Sequence, residues 1–318
     1  MKYYTLNNSL RMPALGLGTW KSKSGEAKKA VTSALEAGYL HIDCAPIYKN
    51  EKEIGEALHG AVTGNIVTRE KLWVTSKLWN NAHAPRHVRP ALERTLSDLQ
   101  LEYLDLFLIH WPVHFRQDIE FPRKPEEFLH PDDIEFIETW QAMEKMVKKG
   151  LCRAIGVCNF SLLKLKTLVS QAAIPPAVNQ IELHPYLPQP EMVAFCSATG
   201  IVPTAFSPLG SPDRPAALKK SGEPVLLDHP EILDIATQAG CTPAQLLIRW
   251  ALHRNCAVIP KSTHPARIRE NLEAQELVVD RGTLQKLDSI STSFRFVDGA
   301  FFCSPGSPYS LDYLWNDE

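Results

Sequence analysis

The chain has 318 residues, of which 44% are hydrophobic and 22% are charged, a composition typical of a globular protein with a large buried core. Lysine and arginine number 34 against 36 for aspartate and glutamate, so the formal net charge is only −2. This balance argues against nucleic-acid and membrane-surface partners, and an anionic ligand must therefore be bound by a few placed cations.

The first residues, MKYYTLNNS, lack the apolar run of a secretory signal, and no apolar stretch is long enough to span a membrane. The seven cysteines are scattered without Cys-x-x-Cys spacing. That pattern favours reduced thiols and a cytoplasmic protein. The eleven histidines form no His-Glu-x-x-His motif, so we expect no metal site.

Strand and helix patterns alternate along the chain. Residues 4–6 and 11–13 flank Asn7-Asn8-Ser9 and predict a β-hairpin. Eight further apolar runs predict strands at residues 14–18, 41–43, 72–77, 104–110, 152–157, 177–182, 202–206 and 257–260. Amphipathic stretches predict helices that include residues 25–37, 51–61, 85–99, 139–149 and 265–274.

This alternation predicts parallel strands, because parallel neighbours need a crossover connection. Eight such units indicate an α/β fold, a closed (β/α)8 TIM barrel, rather than an open sheet. Since the sequence contains no linker or low-complexity segment, we expect a single domain over residues 1–318. Two long irregular segments, residues 111–131 and 293–318, are expected to be ordered loops near the substrate.

Polar residues stand where three of the predicted strands end. Asp43 ends the second strand, Lys77 the third and His110 the fourth, and Tyr48 lies in the loop after the second. The carboxyl ends of barrel strands face one rim, so these side chains are expected to converge.

These residue types suit the reduction of a carbonyl group. Hydride transfer to carbon requires a stabilised oxyanion and a proton source. Tyrosine is a weak acid with a pKa of about 10, and the ammonium of Lys77 is expected to lower the pKa of Tyr48. Asp43 is expected to keep Lys77 charged and oriented. Neutral His110 is expected to donate a hydrogen bond to the carbonyl oxygen.

Three ordered segments resemble the signatures of the aldo-keto reductase family. The first is GYLHIDCA at residues 38–45, continued by Tyr48, Glu51 and Gly55. The second is RAIGVCNF at residues 153–160. The third begins with IPKS at residues 259–262 and includes Arg267, Glu270 and Asn271. The resemblance covers nearly the whole chain and is closest to the aldose and aldehyde reductase branch.

The resemblance implies a monomeric barrel that reduces aldehydes or ketones to alcohols with NADPH. It implies that Tyr48 donates the proton, that Lys77 and Asp43 adjust its acidity, and that His110 orients the substrate.

A cofactor phosphate site is expected after the eighth strand. Gly16-Leu17-Gly18 lacks the third glycine of a Rossmann fingerprint and predicts only a tight bend at the end of the first strand. Lys261, Ser262, Thr263 and Arg267 instead cluster around a helix N-terminus, which attracts anions. Two cations there suit the 2′-phosphate of NADP, although the same residues also fit an ordinary capped helix with surface charges.

The resemblance implies further contacts to NADPH. Asn159 and Gln180 would hold the nicotinamide carboxamide, and Phe206 would stack on the ring. The whole implied cofactor set is Thr19, Trp20, Asp43, Cys158, Asn159, Gln180, Phe206, Ser207, Leu209, Ser211, Asp213, Lys261, Ser262, Thr263, Arg267, Glu270 and Asn271.

Four of these residues, Ser207, Leu209, Ser211 and Asp213, would form a clasp over the pyrophosphate, while Glu270 and Asn271 would contact adenine. The family usually has a hydroxyl where Cys158 stands and a tyrosine where Phe206 stands. Phenylalanine keeps the ring face, so stacking is expected to persist.

Aromatic residues follow the same strands and predict an apolar substrate pocket. Trp20, Trp79 and Trp111 come just after the first, third and fourth strands, and with Tyr48 and His110 they are expected to contact the substrate. Further aromatic residues and one cysteine of the two long loops are candidates for closing the pocket, although packing against the barrel is the more common role for such residues. They are Phe115, Phe121, Phe301, Phe302 and Cys303.

Two other functions fit parts of this pattern. A non-catalytic NADPH-binding sensor or structural protein would keep the cofactor site but would have no need of Tyr48. A Schiff-base aldolase would use Lys77 and would require a lowered lysine pKa.

Overall fold

The computed structural model describes residues 1–315 and contains ten strands. In chain order they are β1 Tyr3–Thr5, β2 Arg11–Pro13, β3 Leu17–Gly18, β4 His41–Asp43, β5 Trp73–Leu78, β6 Leu104–Ile109, β7 Cys152–Cys158, β8 Val178–Glu182, β9 Val202–Phe206 and β10 Ala257–Val258. Strands β3 to β10 form one sheet in sequential order, and every neighbouring pair is parallel.

The sheet closes on itself. The Gly16 N–H donates to the Val258 carbonyl at 2.9 Å, and the Val258 N–H donates to the Ala14 carbonyl at 2.8 Å. The predicted (β/α)8 barrel is therefore confirmed. The predicted first and last strands are shortened to two residues each. Pro260, which has no N–H to donate, stands just beyond the last one.

Eleven α-helices accompany the strands within the described residues. They are α1 Glu26–Ala37, α2 Glu51–Thr63, α3 Pro85–Leu99, α4 Phe136–Lys148, α5 Leu162–Gln171, α6 Pro190–Thr199, α7 Pro230–Gln238, α8 Pro243–His253, α9 Pro265–Glu273, α10 Arg281–Lys286 and α11 Leu311–Trp315. All five predicted helices are present. Helix α4 begins three residues before the predicted start, because the Glu138 carboxylate accepts the Glu135 N–H at 3.3 Å and caps an earlier turn.

The predicted hairpin is present, with its first strand one residue earlier, and it closes the amino-terminal end of the barrel. Strands β1 and β2 pair antiparallel. Leu6 and Met12 pack in one buried cluster with interior residues of the barrel, among them Trp73 and Leu108. The Asn7 side-chain amide also donates to the Pro176 carbonyl at 2.8 Å. The open end of the barrel is therefore the one where the strands end.

The glycines of the first barrel strand serve close packing, which corrects the predicted tight bend. Neither Gly16 nor Gly18 has a positive φ. A Cβ at Gly16 would lie 2.7 Å from the His41 ring, and one at Gly18 would lie 2.9 Å from the Ile259 carbonyl. The absent side chains therefore let the strand approach its two neighbours.

The two long irregular segments pack against each other. The Tyr309 hydroxyl accepts the His114 N–H at 2.8 Å and donates to the Leu129 carbonyl at 2.9 Å. Phe302 contacts Trp111 edge-on, with ring centroids 5.3 Å apart. The second of these segments, residues 293–318, is the C-terminal tail, and its residues 316–318 lie outside the described part of the chain.

Within residues 1–315, no helix is long and apolar enough to cross a membrane. In the same part of the chain, no three histidine, cysteine, aspartate or glutamate side chains are grouped as a metal site requires.

We predict opposite effects for two alanine substitutions on helix α2. A Cβ at Gly55 would lie 2.7 Å from the Leu99 carbonyl carbon and 2.8 Å from its Cα, so Gly55→Ala should lower the free energy of unfolding by about 1–3 kcal/mol. Gly60 has nothing within 4 Å of such a Cβ. Gly60→Ala should therefore raise stability by up to about 1 kcal/mol through helix propensity. Urea unfolding of both variants measures the difference, and equal effects would contradict this packing.

Candidate active site

The barrel brings the four predicted side chains to its open rim. Asp43 ends β4, Lys77 is the last residue but one of β5, and His110 directly follows β6. Tyr48 ends a short 3-10 helix, Pro46–Tyr48, in the loop after β4. Sequence distances of up to 67 residues are thus spanned because neighbouring parallel strands end side by side.

Lys77 and Asp43 form an ion pair that is almost fully buried. Lys77 Nζ lies 2.5 Å from Asp43 Oδ1, and the side chains are 0% and 3% exposed. The same ammonium donates to the Cys44 carbonyl at 2.9 Å. Gln180 Nε2 donates to Asp43 Oδ2 at 2.7 Å. These extra hydrogen bonds supply the partners that a buried pair needs to offset its lost hydration.

Burial and nearby charges act in opposite directions on the pKa values of Lys77 and of Tyr48 beside it. Burial lowers the pKa of Lys77, but the charge of Asp43 and its neighbours outweighs that effect, so the net pKa is raised. Lys77 is therefore an ammonium, not the amine that a Schiff base requires. Burial raises the pKa of Tyr48 more than Lys77 lowers it. Lys77 thus acts in the expected direction, but the net pKa of Tyr48 is raised by burial, and Tyr48 is a neutral phenol.

The Tyr48 hydroxyl lies within reach of Lys77. Lys77 Nζ is 3.5 Å from the phenol oxygen. This ammonium is therefore placed to stabilise a phenolate if Tyr48 gives up its proton.

His110 faces Tyr48 as a neutral imidazole. The two rings meet edge-on, with centroids 5.7 Å apart, and Trp79 packs against the other side of His110 at 5.0 Å. Burial, with the nearby charge of Lys77, holds the pKa of His110 well below its usual range. Asn159 Nδ2 donates to the His110 carbonyl at 3.0 Å and fixes this backbone. A neutral His110 keeps one ring N–H to donate.

One cleft of about 930 Å³ opens above these residues. Lys77 is buried and does not line the cleft. All other residues predicted to act in catalysis or to bind the cofactor or the substrate line it: Thr19, Trp20, Asp43, Tyr48, Trp79, His110, Trp111, Cys158, Asn159, Gln180, Phe206, Ser207, Leu209, Ser211, Asp213, Lys261, Ser262, Thr263, Arg267, Glu270 and Asn271.

Amide groups gather on the cleft wall formed by β7 and β8. Asn159 takes a left-handed backbone conformation with φ 60°, which turns its side chain toward His110 and Cys158. Asn159 Oδ1 is buried and has no hydrogen-bond partner among the described residues. The Cys158 thiol lies 3.7 Å from Gln180 Oε1. This wall therefore presents an unused amide oxygen to a ligand.

The far end of the cleft carries positive charge. Lys261 and Arg267 flank the start of α9, with Ser262 and Thr263 between them. The Ser262 hydroxyl accepts the His264 N–H at 3.1 Å. Glu270, expected to contact adenine, accepts the Thr242 hydroxyl at 2.6 Å and so already has a partner within the fold.

The predicted clasp segment carries two salt bridges at the cleft. Asp213 pairs with Lys21 from the loop after β3, and its other oxygen lies 3.1 Å from Lys261 Nζ. The clasp is therefore tied to the loops that follow two neighbouring strands, β3 and β10. Lys21 was not predicted as a site residue, and only its place beside Trp20 in the sequence indicated that it lies near the cleft.

Aromatic rings surround the open side of Tyr48 and His110. Trp20, Trp79 and Trp111 line the cleft together with Phe121 and Phe301. Of the loop candidates, Phe115, Phe302 and Cys303 are not among the lining residues. Phe115 and Phe302 instead pack on each other behind the wall, with ring centroids 5.5 Å apart.

Glu51 is a second buried acid, near the Lys77–Asp43 ion pair. Its carboxylate accepts hydroxyl hydrogen bonds from Ser76 at 2.6 Å and from Thr95 at 3.2 Å. Burial raises its pKa to about 7 despite these donors. The sequence showed Glu51 only as part of a signature and indicated nothing about its burial.

Comparison with known proteins identifies a family and similar structures. Residues 14–292 match the profile of the Aldo/keto reductase family. An aldo/keto reductase of Synechocystis is 50% identical over 317 residues, which cover 100% of this chain and 97% of that protein. Mouse aldo-keto reductase family 1 member A1 is 47% identical over 92% of this chain and 90% of its own length. The structure of an aldose reductase from Schistosoma japonicum superposes with a TM-score of 0.86 at 39% identity, covering 95% of this chain and 96% of that one.

Glu51 should make stability depend on pH in the direction opposite to an ordinary salt-bridged acid. Folding raises its pKa from 4.5 to about 7. The wild type should therefore lose stability relative to Glu51→Gln as pH rises through this window, by about 3 kcal/mol in all. Urea unfolding at a series of pH values measures the difference. Glu93→Gln, which changes an exposed acid, is the control, and a flat difference for Glu51→Gln would contradict its burial as an acid.

Proposed function

Because the chain belongs to the aldo/keto reductase family, and is thus an oxidoreductase acting on carbonyl compounds, we propose that it reduces aldehydes, and ketones as a second class, to alcohols with NADPH. The observation that carries this proposal is the contact of the Tyr48 phenol with the buried Lys77–Asp43 pair, opposite neutral His110. A protein that only bound a nucleotide would have no use for a proton donor held in this way.

The cleft residues fit NADPH. The unpartnered Oδ1 of Asn159 is an acceptor for the carboxamide N–H groups of a nicotinamide. Lys261 and Arg267 at the start of α9 suit a 2′-phosphate. Asp213, bridging Lys21 and Lys261, would close over the pyrophosphate between these ends.

When bound, NADPH would supply the hydride. Tyr48 would donate its proton to the carbonyl oxygen as negative charge develops there. Its high pKa keeps it protonated beforehand, and the ammonium of Lys77 stabilises the phenolate that remains. Asp43 holds Lys77 in place, and Gln180 holds Asp43.

His110 would orient the substrate. Its neutral ring donates one hydrogen bond to the carbonyl oxygen, so that the oxygen lies between His110 and Tyr48. Trp79 and Trp111 exclude water from this position. The aromatic lining favours apolar and aromatic aldehydes.

We further propose that the protein works as a cytoplasmic monomer.

Removing the proposed proton donor should abolish turnover. Tyr48→Phe should lower kcat for a neutral aromatic aldehyde by about 10³-fold, because no other acid on the cleft lies in its place. NADPH absorbance measures turnover, and NADPH fluorescence should show unchanged cofactor binding. The control is Tyr4→Phe, which removes a hydroxyl bonded to the Leu252 carbonyl at 3.1 Å, far from the cleft.

Two outcomes of this experiment would count against the proposal. Turnover that survives in Tyr48→Phe would remove Tyr48 from the chemistry. A wild type that binds NADPH but turns over no aldehyde would favour a non-catalytic binding protein.

Selectivity for NADPH over NADH should depend on Arg267. Arg267→Leu should weaken NADPH binding about tenfold or more and leave NADH binding nearly unchanged, because only NADPH carries the 2′-phosphate. Arg269→Leu is the matched control, since Arg269 is an exposed arginine two residues along the same helix and is not among the residues that line the cleft. Equal weakening for both coenzymes would place Arg267 elsewhere on the ligand.

A further inference from the structure

Glu182 holds a part of the tail against the barrel. It is the last residue of β8, and its side chain is 0% exposed. One carboxylate oxygen accepts the Phe296 N–H at 2.6 Å, and the other accepts the Val297 N–H at 2.7 Å. A buried carboxylate with two backbone N–H donors makes strong, directional hydrogen bonds. The tail is therefore fixed at these two residues by one side chain.

The side chains of His184 and Arg295 lie around the buried Glu182 carboxylate and hold it in place. His184 Nε2 lies 2.8 Å from the same oxygen that binds Phe296. Arg295, itself half-buried, interacts electrostatically with the carboxylate. The His184 ring also packs on Phe296 at 5.0 Å between centroids. This environment excludes water, which makes the two backbone contacts costly to lose.

The same strand carries the catalytic network. Gln180 and Glu182 are two residues apart on β8, so their side chains point to the same face. Gln180 donates to Asp43, while Glu182 accepts from the tail. The catalytic pair and the tail are thus positioned from one rigid element.

The tail segment that Glu182 fixes forms a wall of the cleft. Val297 and Phe301 line the cleft, and the Phe301 ring lies 5.6 Å from that of Trp111. A Cβ at Gly299 would lie only 3.1 Å from the Trp111 ring, so the backbone itself is pressed on this wall. Displacement at Phe296 and Val297 must therefore change the space beside Trp111.

We propose that Glu182 is a positioning residue: it fixes the wall of the substrate pocket that the tail forms at Val297 and Phe301. It thereby determines how well aldehydes with a bulky apolar group bind. The inference rests on the proposed reductase function. We expect its effect to be greatest on the substrate's distal group, because Val297 and Phe301 of the tail line the cleft while Glu182 itself does not.

The experiment compares two aldehydes that differ by one phenyl group, propanal and hydrocinnamaldehyde. In Glu182→Gln, the amide NH2 cannot accept a backbone N–H, so one of the two tail contacts is lost. We expect KM for hydrocinnamaldehyde to rise about tenfold, while kcat for both aldehydes and KM for propanal change less than about twofold. Glu182→Asp, which keeps the charge but shortens the reach, serves if the amide variant does not fold.

Glu144→Gln is the matched control. Glu144 is also buried, and its carboxylate accepts a single backbone N–H, that of Ile174 at 2.8 Å, in a loop outside the cleft. Its substitution should lower stability without changing the KM ratio of the two aldehydes. Amide hydrogen exchange gives a readout independent of catalysis: exchange at Phe296 and Val297 should accelerate in Glu182→Gln and not in Glu144→Gln.

A double variant tests the route of the effect. If Glu182 acts through the wall, Glu182→Gln should change KM for hydrocinnamaldehyde much less in a Phe301→Ala background. Equal KM changes for both aldehydes, the same KM ratio change in Glu144→Gln, or unchanged exchange at Phe296 and Val297 would each overturn the proposal. Wild-type inactivity toward both aldehydes would refute the reductase function instead, and the exchange result would still decide whether Glu182 holds the tail.

Discussion

The buried ion pair between Lys77 and Asp43 is the constraint on which the site depends. Two charges without access to water are stable only if every remaining donor and acceptor is satisfied. Here Gln180 and the Cys44 carbonyl complete the pair. These groups come from three different strands and the loop after one of them, so only a closed barrel assembles them. Burial keeps Tyr48 protonated, and the fixed ammonium of Lys77 lies 3.5 Å from its phenol oxygen.

The two ends of the barrel differ, because one is filled by packed side chains and the other opens into the cleft. The hairpin fills the amino-terminal end with Leu6 and Met12, so that end is packed. The other end stays open and is bordered by loops and by the tail. Strand β8 links these parts, because Gln180 hydrogen-bonds to Asp43 and Glu182 holds the tail. The buried ion pair and the tail are therefore positioned by the same strand end.

Sequence reasoning succeeded where the signal was local. Apolar periodicity located all eight barrel strands, and polar residues at strand ends indicated Asp43, Lys77 and His110, because strand ends of a parallel barrel share one rim. It failed where partners are distant. Nothing near Lys21 indicated its pairing with Asp213, 192 residues away, and nothing near Glu182 indicated the tail that it binds. The lowering effect of Lys77 on the Tyr48 pKa was predicted, but the larger effect of burial was not, because burial is a property of the assembled cleft.

The sequence by itself determined the order of strands and helices, the (β/α)8 architecture, and the identity of the residues that meet at the rim. It did so because each strand carries its own hydrophobic pattern and because parallel barrels always expose the same strand ends. Only the tertiary structure decided the direction in which the pKa values of Lys77, Tyr48 and His110 are shifted, the salt bridges of Asp213 and the position of the tail. These depend on desolvation and on contacts between segments far apart in sequence, and neither property is encoded in any local stretch of residues.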